Sequence, residues 1–241
     1  MKIIGVIPAR WASTRLPGKP LADIAGKPMI QRVWEQAKKS RRLNEVLVAC
    51  DDSRIEQAVK AFGGQAVMTD PNHPSGTDRI AEAVQGRDAD GIINIQGDEP
   101  LIDPRVIDAL AGLFSLHPGV DMATVIKRIM DEKDYSNPNV VKVVVNQRQE
   151  AVYFSRSPIP FNRDGGPVTA YKHLGIYAYQ KNFLLGYKNL PESLLEKTEK
   201  LEQLRAIEAG YKIKTVITDM ESMGVDTAED LEKIRHIINT R

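Results

Sequence analysis

Cysteine is nearly absent from this sequence, which has one, Cys50, among its 241 residues. A single cysteine excludes an intramolecular disulfide and every metal site built from several thiolates. A compact chain of this length buries roughly 70–75% of the surface it would expose unfolded, so its core does not need such staples. Because Cys50 ends the apolar run 46–50, we expect a small, buried core residue.

An excess of charge of one sign is also missing. The sequence has 33 Lys and Arg against 32 Asp and Glu, a formal net charge of +1. This balance argues against a nucleic-acid partner, which usually requires an obvious basic excess. Apolar runs near the roughly 18 residues of a membrane span are absent, and residues 1–8 do not resemble a signal peptide. We therefore expect a cytoplasmic protein without a membrane partner.

Two common nucleotide-binding fingerprints are missing as well. The dinucleotide pattern G-x-G-x-x-G does not occur. Lys19 and Lys27 each follow a glycine, but each is followed by proline where a Walker A loop needs serine or threonine to bind magnesium. Any nucleotide site must therefore use another kind of loop.

The first half of the chain alternates strand-like and helix-like segments, which predicts an α/β fold with a mostly parallel, Rossmann-like sheet and helices on both faces. A Ser-x-x-Glu capping box at Ser53 predicts the start of one helix, and Asp103-Pro104 predicts another. Ligands of such sheets bind at the carboxyl ends of the strands, after Ile7, Cys50 and Ile95. The predicted strands cover residues 2–7, 45–50, 65–68 and 91–95, and the helices 28–39, 53–62, 77–85 and 104–116.

The second half is richer in strands. We expect a hairpin at 140–154, a strand at 171–179, a helix at 201–209, a strand at 212–218 and a last helix at 227–238. Because no linker or repeat interrupts the chain, we expect a single domain, 1–241, with a β-rich insertion over about 135–180. The charge clusters 127–134 and 196–202 mix both signs and are interpreted as solvated faces.

The loop after the first strand is the most informative segment. It carries three cations, Arg10, Arg15 and Lys19, together with the hydroxyl groups of Ser13 and Thr14. Spaced cations and small residues at the carboxyl end of a strand suit a triphosphate, whose charge they offset. The alternative is an ordinary solvated basic loop.

Two aspartates are candidate metal ligands. Asp98 comes just past a buried strand, where one or two carboxylates and substrate phosphates commonly hold Mg²⁺. Gly97 beside it allows a ligand to approach the backbone. The alternative is a polar turn with a helix-capping acid. Asp226 is the second candidate, and its alternative role is the N-cap of the last helix.

Seven short motifs follow one another along nearly the whole chain, from about residue 3 to 234. They are Pro-Ala-Arg-x-x-Ser-Thr-Arg-Leu-Pro-x-Lys-Pro-Leu (8–21), Pro-Ser-Gly-Thr-Asp-Arg (74–79), Asn-x-Gln-Gly-Asp-Glu-Pro (94–100), Tyr-Phe-Ser-Arg-Ser-Pro-Ile-Pro (153–160), His-Leu-Gly-Ile-Tyr (173–177), Leu-Glu-Gln-Leu-Arg (201–205) and Gly-Val-Asp-Thr-x-Glu-Asp-Leu (224–231). In this order they resemble the 3-deoxy-manno-octulosonate (Kdo) cytidylyltransferases, or CMP-Kdo synthetases. The first motif is shared by sugar nucleotidyltransferases generally, whereas the ordered set is specific.

The resemblance implies an enzyme that transfers CMP from CTP to the 2-hydroxyl of Kdo, releases pyrophosphate, requires Mg²⁺ and serves lipopolysaccharide assembly. It also implies a homodimer with the insertion near the interface. By matched position, the catalytic residues are Arg10, Lys19 and Asp98; the CTP site adds Ser13, Arg15, Ser75, Gly76, Thr77, Arg79 and Gln96; the metal ligands are Asp98 and Asp226; and the sugar site holds Arg156, His173, Tyr177, Glu202 and Gln203.

The implied sugar site is chemically sensible. Arg156 can grip a carboxylate with two parallel hydrogen bonds. His173 and Tyr177, four residues apart in a strand, share a face, although alone they read as a satisfied histidine and a core aromatic residue. Glu202 and Gln203 are neighbours on the predicted helix, so both cannot point the same way.

Other functions stay open from the sequence. If the chain is an enzyme of this kind, the alternative acceptors are an 8-amino variant of Kdo and a sialic acid. In another class, the chain is a catalytically silent nucleotide-binding protein on the same scaffold.

Overall fold

The computed structural model describes residues 1–12, 16–117, 119–166, 168–221 and 223–240. Within these ranges, the strands are β1 (Ile3–Ala9), β2 (Asp23–Ile24), β3 (Lys27–Pro28), β4 (Glu45–Cys50), β5 (Gln65–Met68), β6 (Gly91–Asn94), β7 (Met122–Arg128), β8 (Lys142–Val145), β9 (Ala151–Ser155), β10 (Tyr171–Gln180) and β11 (Ile213–Thr218). The helices are α1 (Met29–Ala37), α2 (Ser53–Ala61), α3 (Gly76–Val84), α4 (Pro104–Leu116), α5 (Glu132–Ser136), α6 (Lys181–Tyr187), α7 (Leu194–Glu199), α8 (Leu204–Glu208) and α9 (Ala228–Asn239), with a 3₁₀ turn at Lys19–Leu21. Among the described residues, no helix combines the length and the hydropathy that a membrane span requires.

The main sheet has the strand order β11-β7-β10-β6-β1-β4-β5. Every neighbouring pair along it is parallel except the two that involve β10, which runs antiparallel to both β6 and β7. The alternating residues of β1 show that both faces are buried, since Ile7 belongs to one apolar cluster and Ile4 to another. The first cluster includes residues of α1, α2 and α4, and the second includes residues of α3, α6 and α8. The predicted fold class is confirmed.

Strand β10 changes the picture of the predicted insertion. Residues 171–180 fall within the span assigned to it, yet they form a central strand between β6 and β7. Within the predicted insertion, the hairpin β8–β9 lies off the main path and is joined to β10 through β8. The pairing partners of β10 lie far away in the sequence, so no local pattern of residues predicts its central place.

Several local predictions need correction. The capping box at Ser53 is wrong, because Asp52 is the N-cap and its side chain accepts from the backbone N of Arg54. Residues 201–203 form a turn, and the helix predicted over 201–209 begins only at Leu204. By contrast, Asp103 caps α4 with Pro104 in its first turn, as predicted.

The lone cysteine is fully buried at the end of β4, as expected. Burial, followed by the nearby carboxylates of Glu56 and Asp51, raises the pKa of the Cys50 thiol to about 11. Since the thiolate is the reactive form, we expect alkylation by iodoacetamide at pH 8 to be at least about 10²-fold slower in the native protein than in concentrated urea. Thiol loss followed over time measures both rates, with glutathione as the control. Equal rates would contradict the burial.

Candidate active site

A cleft of about 430 Å³ opens at the carboxyl edge of the sheet. It is formed where the loop after β1, the loop after β6 and the start of α3 meet the segment before α9. A larger pocket of about 1000 Å³ adjoins it and shares His73, Pro74, Ser75 and Glu202. Of the residues predicted for the site, the cleft is lined by Arg10, Lys19, Ser75, Gly76, Arg79, Gln96, Asp98, Glu202 and Asp226. Ser13 and Arg15 lie outside the described residues.

Lys19 joins the two predicted metal ligands. Its ammonium nitrogen Nζ lies 2.7 Å from Oδ2 of Asp98 and 3.2 Å from Oδ1 of Asp226. The lysine side chain is only 15% exposed, whereas that of Asp226 is 51% exposed. The backbone N of Val225 also donates to the carbonyl O of Asp98 at 2.9 Å, which fastens the two segments together. Residues 207 positions apart in the chain thus share one charge cluster.

Asp226 is not the cap of the last helix. Thr227 takes that role: its hydroxyl accepts from the backbone N of Asp230, whose carboxylate in turn accepts from the backbone N of Thr227. The alternative interpretation of Asp226 is therefore wrong, because a better-placed capping residue follows it directly.

The two carboxylates form a donor set that fits Mg²⁺. Because Asp98 and Asp226 both reach the one ammonium of Lys19, they converge on a point that holds a cation. Mg²⁺ commonly takes one or two carboxylates, with substrate phosphates and water as its remaining ligands. Larger groups of three or more His, Cys, Asp or Glu side chains with metal-binding geometry do not occur in the part of the chain that the structure describes.

Glycine is required at position 97 because the loop after β6 passes very close to the backbone of β1. A Cβ atom at this position would lie 2.6 Å from the backbone carbonyl oxygen of Pro8, at the end of β1. Backbone in a central strand cannot move aside as a flexible side chain can. The sequence predicted closeness to a ligand here, and the structure shows closeness to β1.

Replacing Gly97 by alanine should therefore displace Asp98 and destabilise the fold. We expect a loss of about 1–3 kcal/mol in the free energy of unfolding, as for overpacked core sites, together with a higher KM for the nucleotide. Urea unfolding and initial rates measure the two effects. Gly86→Ala is the matched control, because a Cβ there meets nothing within 4 Å. Unchanged stability of Gly97→Ala would show that the loop yields easily.

The start of α3 forms one wall of the cleft. The hydroxyl of Ser75 accepts from the backbone N of Asp78 at 3.1 Å and donates to its carboxylate at 2.6 Å. Gly76 lies against the ring of Pro8. Thr77 is 4% exposed and hydrogen-bonds Glu202, so its side chain supports the wall from behind.

Gln96 links β6 to β10 beside the cleft. Its amide nitrogen Nε2 donates to the carbonyl O of Gly175 at 2.6 Å. Gly175 lies in an irregular stretch of β10, where the register against β7 shifts between Leu174 and Tyr177. Gln96 therefore holds the bulge that separates the two predicted sugar-binding residues of this strand.

The bulge brings His173 and Tyr177 together. They pair with Ile126 and Thr124, two residues apart on β7, so both side chains lie on one face with ring centroids 5.2 Å apart. The expectation of a shared face is confirmed, with a closer spacing than a regular strand gives. Burial lowers the pKa of His173 to about 3, so the ring is neutral at pH 7.

A threonine sets the tautomer of this histidine. The hydroxyl of Thr124 donates to the carbonyl O of Ile176 at 2.8 Å and lies 2.9 Å from Nε2 of His173. Because its single proton is used on the carbonyl, the hydroxyl accepts from Nε2, which must carry the ring proton. Nδ1 of His173 is then an acceptor.

Glu202 and Gln203 lie in the turn before α8. Glu202 lines the cleft, and burial raises the pKa of its carboxyl group, although a hydrogen bond from Thr77 opposes the rise. Gln203 is 3% exposed, and its amide nitrogen has no hydrogen-bond partner among the described residues. The two side chains take separate positions, as expected for neighbours in the chain.

Arg156 is not among the residues that line the cleft. Its Nε donates to the carbonyl O of Glu199 at 2.8 Å and Nη1 to that of Pro138 at 3.0 Å. The carboxylate of Glu199 accepts from the backbone N of Arg156 and from the hydroxyl of Ser155. Its side chain thus ties α7 to the end of β9.

The predicted solvated face at 196–202 is therefore wrong for its glutamates. Glu196 forms a two-bond pair with Arg205, both bonds being 2.7 Å, and its side chain is 13% exposed. Glu199 and Glu202 are engaged as described above. The partners of these glutamates lie outside residues 196–202. The mixture of charges within the cluster therefore could not predict that the glutamates are paired.

Two residues at the cleft were missed from the sequence. His73 lines it, and its Nε2 is paired with the carboxylate of Glu82. Asp51 lies behind the wall and is paired with Arg79 at 3.0 Å. The available signals were their positions, directly before the motif at 74–79 and directly after β4.

A mostly parallel sheet that carries a cationic loop and paired carboxylates at its carboxyl edge defines the class as a nucleotidyltransferase. The family model described as Cytidylyltransferase matches residues 4–214. A 3-deoxy-manno-octulosonate cytidylyltransferase of Trichlorobacter lovleyi is 49% identical over 246 residues, and the match covers 98% of this chain and 98% of that relative. One of Solibacter usitatus is 52% identical over 237 residues, and the match covers 98% of this chain and 94% of that relative. The chain belongs to the cytidylyltransferase family, among the 3-deoxy-manno-octulosonate cytidylyltransferases.

Solved structures agree. A CMP:2-keto-3-deoxy-manno-octonic acid synthetase complexed with CTP superposes with a TM-score of 0.96 at 49% identity, covering 100% of this chain and 99% of that one. A 4-diphosphocytidyl-2C-methyl-D-erythritol synthase of Anaerococcus prevotii has a TM-score of 0.66 at 12% identity, covering 99% of both chains. The second likeness shows the fold alone.

Proposed function

We propose that this protein transfers the cytidylyl group of CTP to 3-deoxy-manno-octulosonate and releases pyrophosphate, with Mg²⁺ as its metal. The observation that carries the proposal is the Lys19–Asp98–Asp226 cluster at the carboxyl edge of the sheet. One cleft thus contains a cation of the kind that suits phosphate and two carboxylates of the kind that suit Mg²⁺. The relatives and the CTP complex named above supply the nucleotide and the sugar.

In the reaction, the 2-hydroxyl oxygen of the sugar attacks the α-phosphorus of CTP, and the hydroxyl proton passes to water. The bond from that phosphorus to the oxygen bridging to the β-phosphate breaks, and pyrophosphate leaves with the electron pair. Such an in-line displacement needs positioning and charge neutralisation more than covalent help. Arg10 and Lys19 line the cleft where the triphosphate would lie and offset its charge.

Asp98 and Asp226 would hold the Mg²⁺ ion. When bound, the ion neutralises phosphate charge and supports the leaving group. The protein's own contribution is to keep the two carboxylates close through the backbone bond from Val225 to Asp98.

The acceptor would lie on the β10 side of the cleft. Glu202 lines the cleft, Gln96 reaches β10, and His173 offers Nδ1 as an acceptor for a sugar hydroxyl. Gln203 is buried and does not line the cleft, so its predicted contact with the sugar has no support from its position here. Arg156 remains our candidate for the sugar carboxylate, although it bonds backbone carbonyls here.

The test is pyrophosphate release. The four ribonucleoside triphosphates are each incubated with Mg²⁺ and with Kdo, 8-amino-Kdo or a sialic acid. We expect release with CTP and Kdo. Pyrophosphate release only with another acceptor would show that Kdo is not the sugar substrate. No release with any of the sugar acids would favour a catalytically silent nucleotide-binding protein.

We also propose a cytoplasmic homodimer serving lipopolysaccharide assembly. In its support, the segment after β9 exposes 86% of Phe161, and Met130 is 83% exposed after β7. Exposed apolar residues of this size suit an interface between copies. Light scattering coupled to size exclusion should give twice the 26.8 kDa chain mass, and Phe161→Asp should shift the mass toward one chain.

A further inference from the structure

A buried ion pair lies at the wall of the cleft, which Arg79 helps to line, and it has no role in the chemistry above. Asp51 directly follows β4, and Arg79 is in α3; Nη2 of Arg79 donates to Oδ2 of Asp51 at 3.0 Å. The two side chains are 8% and 3% exposed. Because burying two charges costs as much as their attraction returns, such a pair is weak evidence for a purely stabilising role.

The second carboxylate oxygen of Asp51 makes a contact that indicates a role other than stabilising the fold. Oδ1 accepts from the backbone N of Trp11 at 2.8 Å, one residue after Arg10. The Trp11 ring lies over Gly18, where an added Cβ would come within 3.0 Å of the ring. Gly18 precedes Lys19. Through Trp11, one carboxylate therefore holds both described ends of the loop that carries the cations.

Arg79 lines the cleft and is also held in place by the protein. Besides its bond to Asp51, its Nη1 donates to the hydroxyl of Thr69 at 2.7 Å, and that hydroxyl donates to the carbonyl O of Cys50 at 3.0 Å. The arginine was expected to contact the nucleotide. The bonds it makes here also orient the carboxylate of Asp51.

The geometry points to Asp51 as a positioning residue for the triphosphate-binding loop, with Arg79 acting through it. This inference rests on the proposed function, because the loop matters only if it binds CTP. Asp51 aims Arg10 and Lys19, and Arg79 holds the carboxylate of Asp51 in place. The guanidinium of Arg54, 3.5 Å from the centre of the Trp11 ring, adds a second contact to the same ring.

The test combines CTP binding with a local fluorescence signal. Calorimetry with CTP and Mg²⁺, without sugar, compares the wild type, Asp51→Asn, Arg79→Met and the double variant. We expect the Kd of CTP to rise about tenfold in Asp51→Asn, the effect of losing one hydrogen bond to a charged group. The Kd of CTP in the double variant should lie within about threefold of the Kd in the single variant that binds CTP less tightly, because both residues act on the loop through the same contact.

Steady-state kinetics supply the split that a merely structural residue would not give. The KM of CTP should rise in both single variants, while the KM of Kdo stays within about twofold of wild type. Glu45→Gln is the matched control: it breaks the Glu45–Arg87 pair, 2.9 Å long, at the other end of β4. This control should leave both KM values unchanged.

Fluorescence tests the relay independently of catalysis. The sequence has two tryptophans, so Trp34→Phe leaves Trp11 as the sole reporter. In that background, Asp51→Asn should shift Trp11 emission to longer wavelength and speed its quenching by acrylamide, and Glu45→Gln should do neither. If Asp51→Asn does not fold, Arg79→Lys provides the same readouts with the carboxylate intact.

Two results would overturn the inference. In the first, Arg79→Met binds CTP far more weakly than Asp51→Asn does, and the increases in Kd of the two single variants multiply in the double variant. That result would mean direct contact of Arg79 with CTP. The other is unaltered Trp11 emission. A wild type that does not bind CTP would instead refute the proposed function, while the emission data would still decide whether Asp51 holds the loop.

Discussion

Replacing Asp98 by asparagine is expected to lower turnover by at least about 10²-fold, the scale of losing one group that stabilises transition-state charge. The amide keeps the shape of the side chain but loses the charge that faces Lys19 at 2.7 Å. Neutral amide oxygen is also a poorer ligand for Mg²⁺ than a carboxylate. Pyrophosphate release at saturating CTP and Kdo measures the change.

Asp103→Asn is the matched control for this prediction. It makes the same chemical change five residues further along, at the N-cap of α4, where asparagine caps as well as aspartate. Its turnover should stay close to wild type. If Asp98→Asn did the same, the metal site would have to be sought elsewhere in the cleft.

Replacing Lys19 by methionine is expected to have two opposite effects. Turnover and CTP affinity should fall, turnover by at least about 10²-fold, because a cation that offsets phosphate charge is gone. In the absence of nucleotide, however, Mn²⁺ used as a probe should bind more tightly. The ammonium of Lys19 contacts both Asp98 and Asp226, so a divalent ion competes with it for the same carboxylates.

The expected gain in Mn²⁺ affinity is about fivefold, the equivalent of one partly exposed ion pair of ~1 kcal/mol. Electron paramagnetic resonance of free Mn²⁺ measures it without any reaction. Lys27→Met, which breaks the 2.7 Å pair with Glu35 outside the cleft, is the control. Weaker or unaltered Mn²⁺ binding in Lys19→Met would show that the lysine does not occupy the place of the metal.

Much of the fold was predictable because its signals are local. The apolar runs of β1, β4 and β6 and the proline-marked start of α4 predicted elements close to those observed. Where two capping residues are adjacent, as with Asp52 and Ser53, the pattern cannot choose between them. Strand β7 was missed, because its apolar run passes into the charged segment that follows.

The site was predictable in part for the same reason. The rule that ligands bind at the carboxyl ends of parallel strands placed Lys19 and Asp98 together, as observed. Asp226 comes from the far end of the chain, so its place followed from family resemblance and not from any local pattern. The hydrogen bonds of Asp51 and Arg156 depend on tertiary partners and could not be predicted from their neighbours.

The central, antiparallel strand β10 has a consequence for the order in which the chain is made. Strands β1, β4, β5 and β6 all lie within residues 3–94 and are neighbours in the sheet, so this half can assemble early on the ribosome. Until residues 171–180 emerge, β6 and β7 lack the strand that joins them, and open strand edges invite association between chains. The cleft is completed later still, when Asp226 arrives 207 residues after Lys19. A nascent chain that stalls at any earlier point can contain a folded half-sheet and still lack Asp226, so we expect incomplete copies to be inactive.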